Sequence, residues 1–194
     1  MKIYLHAFEP SSRANGPGLR AVLWTQGCSL GCPGCFNSET HDPGAGREVD
    51  VELLAGEIAG RHGIDGVSIS GGEPLQQAEA LCELLERLRP TSLSILVFSG
   101  YSLDRIRTLP LGPAILDRID VLIAGPYVAA KHLGRGLLGS TNQRIHLLTN
   151  RHRLEEFDSL PRGEVILHKD GTVTLTGIEP LRVTGQSRAN FAQR

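Results

Sequence analysis

No window of this 194-residue chain comes near the roughly eighteen consecutive apolar residues that a membrane-crossing helix needs. The opening residues Met1-Lys2-Ile3-Tyr4-Leu5-His6 lack the apolar core and small-residue cleavage site of a signal peptide, so a cytoplasmic location is expected. An excess of charge of one sign is missing too, since 20 Lys and Arg against 21 Asp and Glu leave a formal net charge of -1. That balance offers neither a nucleic acid nor a membrane surface an electrostatic reason to bind, and neither is expected as a partner. Aromatic residues are scarce at 5%, while 40% of the chain is hydrophobic, so the core has to be built from aliphatic side chains. A globule of this length buries roughly 70% of the surface of its unfolded chain and needs no disulfide to fold.

Cysteine is also scarce, and it is unevenly placed: three of the four fall between Cys28 and Cys35. Clustered thiols in a reducing compartment bind metal or do redox chemistry more readily than they pair. Cys82 stands apart in Glu79-Ala80-Leu81-Cys82-Glu83-Leu84-Leu85, where a helical stripe accommodates a small apolar thiol, and core packing accounts for it.

Repeats and low-complexity blocks are absent, and strand-like runs alternate with helix-like ones from Leu19 to about Ser159, the pattern of a parallel α/β sheet. The run Leu19 to Thr25 leads into the cysteine loop. Val51 to His62 reads as a helix with Leu53, Leu54, Ile58 and Ala59 on one side, and Val67 to Ser70 as a short buried strand. A helix from Leu75 to Leu88 stopped by Pro90, a strand from Leu93 to Phe98, a helix from Ser102 to Leu109, a Gly/Pro-interrupted stretch and a strand from Ile119 to Ala124 follow. Glu164 to Leu167 and Thr172 to Thr176 flank Asp170-Gly171, a turn pair that predicts a C-terminal hairpin. One domain over 1–182 is expected, with 183–194 as a flexible tail.

In Gly27-Cys28-Ser29-Leu30-Gly31-Cys32-Pro33-Gly34-Cys35 the thiols are close enough for one loop to wrap a single centre. Spacing alone leaves three chemistries open. Three thiolates on a four-iron cluster leave one iron coordinatively open; a zinc site would need a fourth ligand, for which His41 is available; thiol redox needs no metal. A second motif, Ser70-Gly71-Gly72-Glu73-Pro74, follows the strand Val67 to Ser70, and ligands of α/β sheets collect at that edge. Its glycines let main-chain atoms approach a ligand, and Glu73 brings a carboxylate there.

Together the two motifs resemble the radical S-adenosylmethionine (SAM) superfamily. The resemblance implies a partial (β/α)6 barrel, a 4Fe-4S cluster on Cys28, Cys32 and Cys35, and S-adenosylmethionine held at its methionine end by Gly71, Gly72 and Glu73. Within the superfamily the chain is similar to the activating proteins of glycyl radical enzymes, and especially to the type that serves anaerobic ribonucleotide reductase. The likeness rests on Asn15-Gly16-Pro17-Gly18-Leu19-Arg20, Trp24-Thr25-Gln26-Gly27-Cys28, Cys32-Pro33-Gly34-Cys35-Phe36-Asn37 and Glu39-Thr40-His41-Asp42. It continues in Ser99-Gly100-Tyr101, Gly125-Pro126-Tyr127, Gly139-Ser140-Thr141-Asn142-Gln143-Arg144 and Thr176-Gly177. It implies a glycyl radical enzyme as partner and an electron donor of the reduced flavodoxin or ferredoxin type. Arg144 is carried over as a cofactor contact; Arg20 and Arg144 alike could pair with a carboxylate or join a salt bridge at the sheet edge.

Two positions depart from the pattern: Ala124 stands where the family has aspartate before Gly-Pro, and Asn15 where it has the aspartate of Asp-Gly-Pro-Gly. His41 is expected to be a solvent-facing loop residue, and Tyr101 and Tyr127 to pack at strand ends. Two other readings use the same residues: a radical SAM enzyme acting on a small molecule or peptide, and a non-catalytic binding module closed by zinc.

Overall fold

A computed structural model describes residues 1–179, so the expected 183–194 tail lies outside the described residues. The chain begins with a long strand, β1 (Lys2–Ser12), that folds back antiparallel on β2 (Arg20–Thr25), Phe8 facing Leu23. Only 13–19 join them, too short for the crossover that a parallel pair requires. The edge strand β3 (Arg47–Asp50) pairs with the other side of β1. From β2 onward the expected alternation holds: α1 (Val51–Ala59), β4 (Gly66–Gly71), a 3-10 turn at Pro74–Gln77 running into α2 (Ala78–Leu88), β5 (Ser94–Ser99), α3 (Leu103–Thr108), α4 (Gly112–Leu116) and β6 (Val121–Ala124). A small hairpin, β7 (His132–Arg135) with β8 (Leu138–Ser140), then precedes β9 (Arg144–Leu147), and α5 (Glu155–Asp158) leads to the hairpin β10 (Glu164–Leu167) with β11 (Val173–Thr176).

The main sheet has seven strands in the order β3-β1-β2-β4-β5-β6-β9. Only β2, β4, β5 and β6 are parallel; β1, β3 and β9 run against their neighbours. The described residues form a mixed α/β sheet with four parallel strands, and the partial (β/α)6 barrel is not confirmed: β7 and β8 stand where a crossover helix would follow β6, and β9 returns antiparallel beside it. The C-terminal hairpin forms as the Asp-Gly pair predicts, with Gly171 at φ +85° and the Asp170 carboxylate accepting from the Thr172 backbone N–H and hydroxyl.

Alternate strand residues build two cores. Ile3, Leu5, Leu23, Val67, Ile69, Ile95, Val97 and Leu122 pack under α1 to α4. On the opposite face, Leu96, Val121 and Ile123 meet Leu137 and Phe157. The buried stripe of α1 is Val51, Leu54, Ala55 and Ile58, with Leu53 74% exposed, one register away from the sequence reading. The capping Asp50 carboxylate, which accepts from the Glu52 and Leu53 backbone N–H groups, places the first turn at Val51 and so sets that phase. The Gly/Pro-interrupted stretch contains α4, whose Pro113 sits in the first turn, where its missing N–H costs nothing. Cys82 packs against the helix-covered core, as its helical setting implied.

At the N-terminal end of the parallel strands the second face is polar. The guanidinium of Arg20, fully buried, donates from Nε to the Ser68 hydroxyl, from Nη1 to Pro17 O and the Ser94 hydroxyl, and from Nη2 to Val67 O and Ser94 O, at 2.8–3.0 Å. Those are all five of its N–H donors. Among the described residues no carboxylate lies within ion-pair distance of Arg20. Beside it, the Asn15 amide donates to the hydroxyls of Ser12 and Thr176, both at 2.8 Å, a donor role an aspartate could not fill.

Candidate functional site

The four parallel strands end together at Thr25, Gly71, Ser99 and Ala124, and the cysteine loop lies across those ends. Its base is tied on both sides. Gly72 and Glu73 donate their backbone N–H groups to Thr25 O and Gly27 O, at 2.8 and 2.9 Å, while Gly27 and Cys28 donate theirs to Thr40 O and His41 O, at 2.7 and 3.1 Å. A Cβ on Gly72 would stand 2.3 Å from the Gly27 carbonyl oxygen, so only glycine lets the loop sit this close to the strand. Loop and strand ends bound one open cleft at the edge where ligands of α/β sheets collect.

Cys28, Cys32 and Cys35 all line this cleft, half-buried and unpaired, together with Ser70, Gly71, Gly72 and Glu73. Burial pushes the Cys28 and Cys35 thiols above their ordinary value, while backbone N–H groups of Leu30 and Asn37 directed at them pull the other way. Three soft sulfur donors on one wall, with open volume before them, suit a thiolate-held iron-sulfur cluster with an exposed iron. Among the described residues no three Cys, His, Asp or Glu side chains converge on one point as a mononuclear ion requires. His41 contributes its backbone carbonyl to the loop and is absent from the cleft wall.

Glu73 is tied into the strand ends. Its carboxylate turns inward, 0% exposed, accepting from Leu75 N and the Ser99 hydroxyl at 3.0 Å and from Gly100 N at 2.7 Å. It ties the ends of β4 and β5 together while also lining the cleft. Burial pushes its carboxyl up to about 7, against the pull of those three donors. A carboxyl that holds its proton more tightly in the folded state stabilises the fold at low pH, fully below about 4.5, and loses that contribution as pH rises through about 7. Stability should therefore fall by about 3 kcal/mol from this group across the window. Urea midpoints should show that pH component vanish in Glu73→Gln, whose overall stability is lower because one backbone N–H then faces an amide donor.

Arg144 stands exposed at the start of β9, outside the cleft wall, and donates from Nη1 to Thr141 O and Gln143 O, at 2.8 and 3.1 Å. Its neighbour Gln143 does line the cleft, accepting from Gly139 N and Ser140 N and donating to Gly125 O. Ala124 is buried in the helix-side core, whereas the following Gly125 reaches the cleft. Tyr127 lines the cleft edge-on to Phe36, ring centres 5.6 Å apart, while Tyr101 packs against the core.

A family of 4Fe-4S single cluster domains matches residues 14–146. The anaerobic ribonucleoside-triphosphate reductase-activating protein of Salmonella typhimurium is 32% identical over 152 residues, 74% of this chain and 97% of that protein. The chain belongs to the glycyl radical activating family of radical SAM proteins. Other members of this activating family are similar over comparable lengths. The reductase-activating protein of Enterobacteria phage T4 is 33% identical over 70% of this chain and 88% of its own. The pyruvate formate-lyase 1-activating enzyme of Escherichia coli K12 is 41% identical over 72% of this chain and 58% of that enzyme. The family match takes in the cysteine loop, the Gly-Gly-Glu turn and most of β9, and leaves the C-terminal hairpin outside.

Sequence reasoning passed over the amides that hold the activating-family loop in place. Gln76 accepts from Ser29 N at 3.0 Å and donates to the Ser29 hydroxyl at 2.7 Å. Gln77 donates to Gln26 O, and Gln26 in turn donates to Glu39 O and Asp42 O. The available signal was two consecutive glutamines directly after Gly-Gly-Glu-Pro-Leu, at the edge where sites form.

Proposed function

We propose that this chain installs a glycyl radical on a partner enzyme, an anaerobic ribonucleoside-triphosphate reductase. The observation that carries the reading is the convergence of three half-buried thiols and the Gly71-Gly72 backbone on one cleft, in a chain that covers 97% of a reductase-activating relative. In this reading Cys28, Cys32 and Cys35 hold the 4Fe-4S cluster, and a reduced flavodoxin or ferredoxin type protein delivers the electron. With S-adenosylmethionine bound, the cluster supplies reductive cleavage to methionine and a 5'-deoxyadenosyl radical, which takes a hydrogen atom from a glycine α-carbon of the partner.

The chain's own groups do the rest. The thiols release their protons to bind iron, and the Leu30 and Asn37 N–H groups stabilise the sulfur charge that results. Gly71 and Gly72 leave the methionine end free of side-chain bulk, while the Glu73 clamp keeps their strand ends in register. Gln143 holds Gly125 at the cleft rim. Because Ala124 points into the core, its departure from the family pattern takes no group away from the cleft.

Mixing reconstituted protein, S-adenosylmethionine and reduced flavodoxin with such a reductase under anaerobic conditions should give the glycyl radical doublet by electron paramagnetic resonance. Release of 5'-deoxyadenosine without that signal would move the reading to a small-molecule or peptide substrate. No 5'-deoxyadenosine at all would reject it.

A further inference from the structure

Among the described residues Leu137 is the only non-glycine residue with a left-handed backbone, at φ 65°. It follows Gly136, at φ 58°, in the two-residue turn between β7 and β8, where Arg135 faces Leu138. Asn and Gly are the residues that such turns accept without strain; a leucine Cβ crowds the adjoining carbonyl. The tip of a small hairpin ordinarily projects into water, yet Leu137 is only 3% exposed. It packs with Leu96, Val121, Ile123 and Phe157 on the sheet's second face, and it also lines the cleft that holds the three cysteines. Local backbone preference works against leucine here, so the reason for it lies in where the side chain goes.

We propose that Leu137 is a positioning residue that closes the apolar end of the cleft, bounding the space open to the cofactor and to the partner's glycine segment; the inference rests on the function proposed above. A wall at that end would limit which hydrogen donors can approach a radical generated in the cleft. In a wider cleft the same 5'-deoxyadenosyl radical takes its hydrogen atom from a small thiol, such as dithiothreitol in the assay, and leaves a thiyl radical there. 5'-Deoxyadenosine then accumulates without glycyl radical on the partner.

The test compares 5'-deoxyadenosine released per glycyl radical spin in the reconstituted wild type, Leu137→Gly and Leu137→Asn, both replacements being compatible with the turn. The expected result is a rise of about tenfold in that ratio in both variants, on the scale of a small misplacement at a reacting centre. Leu137→Met, which refills the volume, should return toward the wild-type ratio. Thermal melts should place Leu137→Gly at or above Leu137→Ala, the reverse of the order for strand or helix positions, because glycine relieves the strain. Either variant that folds and keeps the wild-type ratio overturns the proposal, and failure of both to fold would make Leu137 a core residue alone and overturn it equally. A wild type that cleaves S-adenosylmethionine and forms the radical, beside variants that do so with the same coupling, defeats this inference and leaves the function standing. A wild type that does neither defeats both.

Discussion

Cys32→Ala should yield a folded protein that no longer holds the iron and sulfide of the reconstituted wild type, with 5'-deoxyadenosine release lower by on the order of 10³-fold. The two effects separate because of where the residue lies. Cys32 is in a half-exposed loop, while the apolar core is built by strand and helix residues beneath it. Removing one thiol creates no core cavity, so stability without metal should change by less than about 1 kcal/mol. A three-thiolate site has no spare ligand, and among the described residues no other Cys, His, Asp or Glu side chain converges with these thiols to replace the missing one. Iron and sulfide analysis, visible absorbance and 5'-deoxyadenosine yield check this together. A Cys32→Ala protein that kept its cluster and activity would refute the ligand assignment. Cys82→Ala is the control and should leave all three unchanged, since Cys82 packs on the helix side of the sheet.

Arg20→Met should destabilise the protein by about 3–5 kcal/mol, since several buried acceptors lose a charged donor at about 1–3 kcal/mol each. For a chain of this length that is a fall of about 10 °C in Tm. The five hydrogen bonds of Arg20 end on three backbone carbonyls and two hydroxyls beneath the parallel strands. Methionine fills much of the volume but withdraws all five donors from those buried acceptors. Arg20→Lys should recover little, because three donors on one nitrogen cannot reproduce a planar fork that reaches Pro17, Val67 and Ser94 at once. Burial lowers the pKa of Arg20 to about 10, which leaves the group charged at neutral pH. Thermal or urea unfolding of the three proteins decides the matter, and wild-type stability in Arg20→Met would show the network to be dispensable. Activity per folded molecule should be nearly unchanged, since Arg20 sits at the N-terminal ends of the strands and the cleft at their C-terminal ends.

Arg20 and Arg144 illustrate why some residues were legible in the sequence and others were not. Each could be read as an anion-binding arginine in a family-like motif. Folding buries one with all five donors bonded in the sheet's interior and leaves the other exposed, with Nη1 on the carbonyls of its own turn. An arginine's partners are chosen by tertiary geometry, and the side chain reaches far enough that sequence neighbours say little about them. Glu73 poses the same problem in reverse: its motif placed it at the strand end, and only the packed structure turned its carboxylate inward. Leu137 left no mark in the sequence, since a leucine between Gly136 and Leu138 reads as ordinary hydrophobic content until the backbone's handedness is seen.

What the sequence determined by itself was local. Three thiols within one loop, a Gly-Gly pair after a buried strand and an Asp-Gly hairpin turn depend on spacing and backbone freedom, which a short segment carries with it. The strand-helix alternation from β2 to β6 was legible for the same reason, because hydrophobic periodicity belongs to each segment. The tertiary structure decided that the sheet stays open and mixed, with β1 and β9 antiparallel at its flanks, because pairing direction depends on connection length and on which edge remains free. It also gathered the cysteines, Gln143 and Leu137, more than a hundred residues apart in the chain, onto one cleft. Such a meeting follows from where the parallel strands end, and no local pattern encodes it.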